Sequence, residues 1–159
     1  MGRRRAHRPL NVLINGRLAG RLEKDAGGGV SFQYDRSWLE WENAFPISLS
    51  LPLQAPAWRG APVAAVFDNL LPDSPAVRRR VAETTGAQGT DPYSLLEEIG
   101  RDCIGAMQFL PDGLDMDVSG AIEAQEIGEG EIEALLANLE RAPLGVGPDE
   151  GFRISIAGA

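Results

Sequence analysis

The sequence predicts an α+β fold in which short helices cover an antiparallel sheet, with a further strand near the C-terminus. Two observations lead to this prediction. Near the N-terminus, short apolar runs flank Asn15-Gly16, the residue pair most typical of a tight hairpin turn. From Phe67 to Gly105, apolar residues instead recur at helical spacing, and proline and glycine divide the stretch. Strands followed by helices are typical of the α+β class.

Four further observations define the expected sheet. Residues 11–22 form the hairpin, and the alternation of Val30, Phe32 and Tyr34 with polar residues predicts a third strand. The alternation from Ile47 to Leu53 predicts a fourth strand, placed at an edge because proline cannot donate to a neighbour. Residues 103–110 read as a buried strand. Residues 55–62 are expected to form a loop in which Trp58 either folds over the core or serves as a partner anchor.

The central helices are predicted from their boundaries as much as from their apolar faces. The first is stopped by proline, the second and third begin at side-chain N-caps followed by proline, and both end at glycine. In chain order these boundary residues are Pro72, Ser74, Gly86, Asp91 and Gly100. The expected core comprises Leu13, Leu22, Phe32, Leu49, Leu51, Phe67, Leu70, Leu95, Ile99 and Ile104.

The C-terminal part is expected to contain one more helix and one more strand. Residues 129–141 predict an amphipathic helix whose acidic start and basic end suit the helix dipole. Residues 142–151 are rich in glycine and proline and read as a linker. Phe152, Ile154 and Ile156 alternate with polar residues, which predicts the last strand.

Composition limits the classes of function. A chain of 159 residues suits a single domain, and one cysteine and one histidine exclude an internal disulfide and a cysteine- or histidine-rich metal site. No apolar run approaches the ~18 residues of a membrane span, so a cytoplasmic protein without a membrane partner is expected. Residues 1–80 carry a net charge of +5 and residues 81–159 carry −13, and so acidic a half disfavours direct binding to DNA.

Four segments together resemble a known family. The segments PISLSLPL, FDNLLPDSPAVRRR and DPYSLLEEIGRDCIGA resemble the N-terminal region of HipA-type serine/threonine kinase toxins, in the same order and spacing. The last residues, FRISIAGA, resemble that family's stretch around its regulatory serine and glycine-rich nucleotide loop. The resemblance implies a HipA-like subdomain at 11–141 and a linker leading into the nucleotide-loop region at 142–159, and the arginine-rich residues 1–10 are expected to form a flexible basic tail.

The resemblance also sets expectations about function. In that family a kinase core follows this region, so the chain is expected to be a truncated segment, inactive alone, that serves as an accessory subunit or remains as a remnant. Its expected partners are a kinase-core chain or a helix-turn-helix antitoxin of HipB type, with DNA contacted only indirectly. ATP and magnesium are expected only where a kinase core is supplied. By resemblance, Ser155 is the phosphorylation site, and Ala157, Gly158 and Ala159 are a remnant of the nucleotide loop.

Residue chemistry leaves one alternative, a small cytoplasmic enzyme that uses the acidic C-terminal half. It requires carboxylates that converge in a pocket with separated pKa values. The candidate pairs are Asp68 with Asp73, Glu97 with Glu98, and Asp115 with Asp117, the last also considered for magnesium. Lys24 is the single lysine and lacks a phosphate-loop context, and the glycines at 27–29 are expected to form a plain turn. Arg101-Asp102 is expected to fix a turn between helix and strand.

Overall fold

A computed structural model describes residues 7–101, 106–114 and 126–138 of the chain. It confirms the α+β prediction, because its five strands form one antiparallel sheet packed against helices. The spatial order is β4-β3-β2-β1-β5, so that β4 and β5 lie at opposite edges. The strands are β1 (Leu10–Ile14), β2 (Arg17–Lys24), β3 (Val30–Tyr34), β4 (Trp58–Arg59) and β5 (Met107–Pro111).

The two predicted turns of the meander are confirmed. Asn15 and Gly16 have φ angles of 49° and 77°, the positive values that a type I′ turn requires. In the second turn all three glycine amides donate to Asp25: Gly27 and Gly29 to the carboxylate and Gly28 to the backbone carbonyl. These backbone hydrogen bonds lower the pKa of Asp25.

Five helices lie in the described ranges. The boundaries predicted for the second and third central helices are confirmed, because Ser74 and Asp91 accept hydrogen bonds from the first-turn amides and Gly86 takes a left-handed φ of 78°. The helices are α1 (Arg36–Leu39), α2 (Ala61–Asp68), α3 (Pro75–Thr85), α4 (Pro92–Ile99) and α5 (Glu129–Asn138).

Helix α2 ends at Asp68, three residues earlier than the predicted end at Leu71. The Arg78 side chain donates to the backbone carbonyls of Asp68 and Pro72, at 3.3 and 2.6 Å, and its guanidinium also binds the Asp68 carboxylate at 2.6 Å. The Asp68 carbonyl also accepts from the Leu71 amide at 3.1 Å, so Arg78 adds side-chain bonds to an end that is already closed, and it fixes the corner between α2 and α3. Leu71 is still buried just beyond the helix end.

The core lies between the sheet and helices α2, α3 and α4. Seven predicted core residues are buried, and Leu70 is half-buried against the same cluster. The prediction for Leu49 is wrong, because 92% of this residue is exposed, and Ile104 lies outside the described residues. The confirmed core positions are Leu13, Leu22, Phe32, Leu51, Phe67, Leu95 and Ile99.

The predicted strand at Ile47–Leu53 is wrong, since these residues form bends and turns. Their backbone is bonded to side chains instead of to a neighbouring strand. The Tyr34 hydroxyl accepts from the Ile47 amide at 2.9 Å and donates to the Leu51 carbonyl at 2.5 Å. The edge strand is β4, inside the segment that was predicted as a loop, and it pairs Trp58 with Phe32.

The remaining predictions fall partly outside the described residues. Of the strand predicted at 103–110, residues 107–110 belong to β5, and residues 102–105 are not described. Helix α5 begins at Glu129 as predicted and is described to Asn138, and the predicted strand at 152–156 lies outside the description. Across the described ranges, none of the helices combines the length and the apolar character needed to cross a bilayer.

Candidate functional site

The strongest candidate site is a half-open pocket of about 360 Å³ between the sheet and the beginning of α4. Its wall is mainly apolar and includes Leu22 and Phe67. Its polar side is formed by Lys24, Asp91 and Tyr93. A cavity with a few polar groups is the usual form of a small-molecule site, so the chemistry of these three residues decides what the pocket can do.

Lys24 and Asp91 form an ion pair at the pocket wall. Lys24 is the last residue of β2. Because side chains alternate between the two faces of a strand, Lys24 lies on the same face as buried Leu22. Its ammonium nitrogen lies 2.9 Å from the Asp91 carboxylate and 3.3 Å from the Ser94 hydroxyl oxygen. The lysine side chain is only 14% exposed, so the pair is shielded from solvent on the lysine side.

Asp91 has two tasks at once. Its carboxylate caps α4 by accepting from the Ser94 amide at 3.3 Å, and it accepts from the Ser94 hydroxyl at 2.7 Å. Burial acts to raise the pKa of Asp91, but hydrogen bonds from Ser94 and Lys24 outweigh burial, and the net pKa is lowered. Asp91 therefore stays ionised and holds Lys24 as its counter-ion.

Tyr93 closes the pocket and fastens the N-terminal segment to α4. Its hydroxyl donates to the Arg8 carbonyl. The His7 ring packs edge-on against the Tyr93 ring, with 5.4 Å between the ring centroids. The Lys24 ammonium lies 5.7 Å from the Tyr93 ring centroid, within reach of a cation–π contact. Burial, together with the negative charges of Glu97, Asp91 and Glu23, raises the pKa of the Tyr93 hydroxyl.

The charged groups of the pocket bind each other and Ser94. The one ammonium of the pocket is neutralised by the one carboxylate that lines it, and both bind Ser94. The glycine turn beside the pocket offers no phosphate cradle, because its three amides already donate to Asp25. The geometry therefore suits a structural clamp between β2 and α4 better than a site of phosphate chemistry.

The carboxylate pairs suggested by the sequence do not line this pocket. Asp68 is bound by Arg78 at the corner between α2 and α3. Burial and the charge of Glu98 raise the pKa of Glu97, but neither residue belongs to the pocket wall. Within 7–101, 106–114 and 126–138, no group of three or more His, Cys, Asp or Glu residues is placed to hold a metal ion.

Several predicted site residues lie outside the described part of the chain. They are Asp102, Asp115, Asp117, Ser155, Ala157, Gly158 and Ala159. Arg101 is described and exposed, and its carbonyl oxygen accepts from Gln108 at 3.4 Å.

Sequence reasoning did not predict that aromatic side chains bind the backbone of residues 45–54. We call residues 45–54 the aromatic-anchored loop. Besides the two bonds of Tyr34, the indole N–H of Trp38 donates to the Phe45 carbonyl and that of Trp58 donates to the Pro52 carbonyl, both at 3.1 Å. Residue type alone could have indicated these contacts, because the O–H of a buried Tyr and the N–H of a buried Trp normally make a hydrogen bond.

Comparison with known proteins identifies the family. The model of the HipA N-terminal domain matches residues 10–110, which run from the start of β1 to the fourth residue of β5 and include the whole pocket. The chain belongs to the HipA N-terminal domain family. A relative from Sinorhizobium fredii, named "Putative kinase Y4mE", is 34% identical over 155 residues. The alignment covers 96% of this HipA-family chain but 36% of the relative, so the chain spans about a third of that protein's length.

Proposed function

We propose that this HipA-family chain is a non-catalytic accessory domain that packs against a HipA-type kinase core. The core either continues the same polypeptide or belongs to a partner chain. The family match supports this proposal, as does the relative named as a kinase, most of whose length lies beyond the aligned part. In this account phosphoryl transfer takes place on the core, and the domain regulates or completes it.

The observation that carries the proposal is the position of Lys24. Phosphoryl transfer by kinases uses a lysine that binds the nucleotide phosphates. Lys24 is the single lysine of the chain, and it is held by Asp91 and Ser94 at the cap of α4. Releasing it would break its bonds to Asp91 and Ser94 and move a side chain that is only 14% exposed. The catalytic lysine is therefore assigned to the kinase core.

The same proposal assigns cofactors and further partners. ATP and magnesium bind the kinase core, since the one ammonium of the pocket is already neutralised. A helix-turn-helix antitoxin of HipB type is the proposed route to DNA, so that DNA is an indirect partner. The net charge of −8 supports this indirect route, because phosphate-rich DNA repels an acidic protein.

Ser155 is proposed as a regulatory phosphorylation site. It lies in FRISIAGA, the segment that resembles the family's regulatory serine and nucleotide loop. A phosphoserine adds roughly −1.5 to −2 charges, which would repel nucleotide phosphates from Ala157-Gly158-Ala159. Incubation with an active HipA-type kinase, followed by mass spectrometry, should locate phosphate on Ser155, with Ser155→Ala as control. Phosphate on other serines alone would refute this site.

Association with the core is the direct test of the proposed function. The tagged chain is co-expressed with the HipA-type kinase core of the same genome, and the two are purified together. Co-purification in stable proportion is expected. The variant Lys24→Met should retain kinase activity of the complex while lowering the melting temperature, because Lys24 stabilises the domain. Failure of the wild-type chain to associate, or loss of activity in a still-folded Lys24→Met complex, would contradict the proposal.

A further inference from the structure

The pocket beside the Lys24–Asp91 pair has the size and the wall of a small-molecule site. Its volume of about 360 Å³ lies within the range of roughly 300–1,000 Å³ that is usual for ligand pockets. Leu22, Val63 and Phe67 line it and are themselves buried, so the packing of the fold fixes this part of the wall. A fixed apolar wall favours a ligand with an apolar body, and the ligand need not order it.

The Lys24 ammonium has one hydrogen-bond donor more than its neighbours use. An ammonium carries three N–H donors, and among the described residues its oxygen partners are Asp91 at 2.9 Å and Ser94 at 3.3 Å. The Tyr93 ring, whose centroid is 5.7 Å from the ammonium, provides a cation–π contact and no oxygen. Because Lys24 lines the pocket, a ligand oxygen inside it would supply the third acceptor.

The charges of the pocket disfavour an ionised ligand. The Lys24 ammonium and the Asp91 carboxylate neutralise each other, so a further ion would bring an unpaired charge into a mainly apolar cavity. An anion would also meet the Asp91 carboxylate, and a cation would meet the Lys24 ammonium. The class that remains is a neutral molecule with one oxygen that accepts a hydrogen bond.

We propose that this pocket binds a small neutral molecule with a mainly apolar body and one carbonyl oxygen, which accepts the third hydrogen bond of Lys24. The apolar body packs against Leu22, Val63 and Phe67. This inference is independent of the proposed function, because residues of this domain alone form the pocket. A bound ligand contacts β2, α2 and the beginning of α4 together, so it also stabilises the fold.

The test titrates the purified chain with three probes of similar size: acetophenone, ethylbenzene and benzoate. Ethylbenzene has a methylene in place of the acetophenone carbonyl, and benzoate carries a negative charge. Binding is followed through the backbone amide resonances of the isotope-labelled chain. We expect saturable shifts at Lys24 and Ala64 in the pocket wall. Acetophenone should bind about tenfold more tightly than ethylbenzene, the effect of one hydrogen bond to a charged donor, and benzoate should bind more weakly than acetophenone.

Two leucine substitutions in α2 form a matched pair. Ala64 lines the pocket, whereas its neighbour Ala65 is exposed and does not line it. Ala64→Leu should abolish acetophenone binding, because the larger side chain occupies pocket volume, and Ala65→Leu should bind as wild type does. A third variant, Lys24→Met, should still bind ethylbenzene but lose the preference for acetophenone.

Three results would overturn the inference. Acetophenone that produces no saturable shifts would show that the pocket takes no ligand of this class. Equal binding of acetophenone and ethylbenzene, or tighter binding of benzoate, would show that the ligand class is wrong. Normal binding by Ala64→Leu would place the site elsewhere. If Ala64→Leu fails to fold, Lys24→Met decides, because a preference for acetophenone that persists in this variant refutes the role of the ammonium.

Discussion

At the residue scale, the Lys24–Asp91 pair gives a prediction about acid stability. The folded pKa of Asp91 is lowered, so its contribution to the free energy of unfolding is present above the unfolded pKa of about 3.9 and is lost as pH falls through the folded value. Asp91→Asn keeps a capping oxygen but removes the charge. We therefore expect wild type to be more stable than Asp91→Asn at neutral pH, with the difference shrinking in acid.

Urea denaturation of both proteins between neutral pH and about pH 2.5 measures this difference, since the range spans the ordinary Asp titration. Asp91→Ala is the useful companion, because it also removes the cap and should therefore cost about 0.5–2 kcal/mol more than Asp91→Asn at each pH. A constant gap between wild type and Asp91→Asn across the range would show that the ion pair does not stabilise the fold.

The sequence predicted the capping role of Asp91 but not its ion pair with Lys24. Asp91 could be identified as an N-cap because proline follows it and an apolar helical face begins there. Its pairing with Lys24 joins residues 67 positions apart, and local patterns carry no information about such contacts. The same holds for Arg78, which closes the corner between α2 and α3 through its bonds to Asp68 and Pro72.

At the element scale, the aromatic-anchored loop depends on the hydroxyl of Tyr34. Tyr34→Phe keeps the buried ring but leaves the Ile47 amide and the Leu51 carbonyl without this partner. We expect a loss of about 1–3 kcal/mol in unfolding free energy. Hydrogen exchange of the Ile47 amide should accelerate more than that of amides in β1, and unchanged exchange at Ile47 would contradict the account of this loop.

Tyr34 also explains why the predicted strand at Ile47–Leu53 was wrong. Alternation of apolar and polar residues is the pattern of a half-buried strand, and this segment has it. Pro52 within it and Pro46 just before it cannot donate to a neighbour, and side chains from β3 and β4 bind its backbone instead. The alternation does not survive in the fold, because Leu49 and Leu51 would share one face of a strand, whereas Leu49 is exposed and Leu51 is buried.

Helix α2 contributes the centre of the core through Phe67. This residue is almost fully buried, and its ring meets Phe32 and Phe109 at 5.7 Å between centroids. Phe67→Ala should cost about 3–5 kcal/mol, measured by urea denaturation. Phe45→Ala, at a half-exposed ring, should cost clearly less. Equal losses for the two variants would mean that Phe67 does not occupy the core position described here.

At the scale of the whole molecule, the class of fold could be predicted because its signals are local. The Asn-Gly turn, the caps of α3 and α4, and the alternation of β3 each specify an element, and all agree with a sheet covered by helices. The assembly of the pocket could not be predicted, because it joins the end of β2, the body of α2 and the beginning of α4. The role of Ser155 stays a prediction.

The central claim is that phosphoryl transfer belongs to a kinase core and not to this domain. Labelled ATP with magnesium, added to the purified chain and to the chain combined with a HipA-type kinase core, measures it most directly. We predict no phosphate incorporation by the chain alone and clear incorporation when the core is present. The variant Lys24→Met should not reduce incorporation by the combined proteins, because Lys24 is bound to Asp91. Robust autophosphorylation of the chain alone, abolished by Lys24→Met in a folded protein, would contradict the claim.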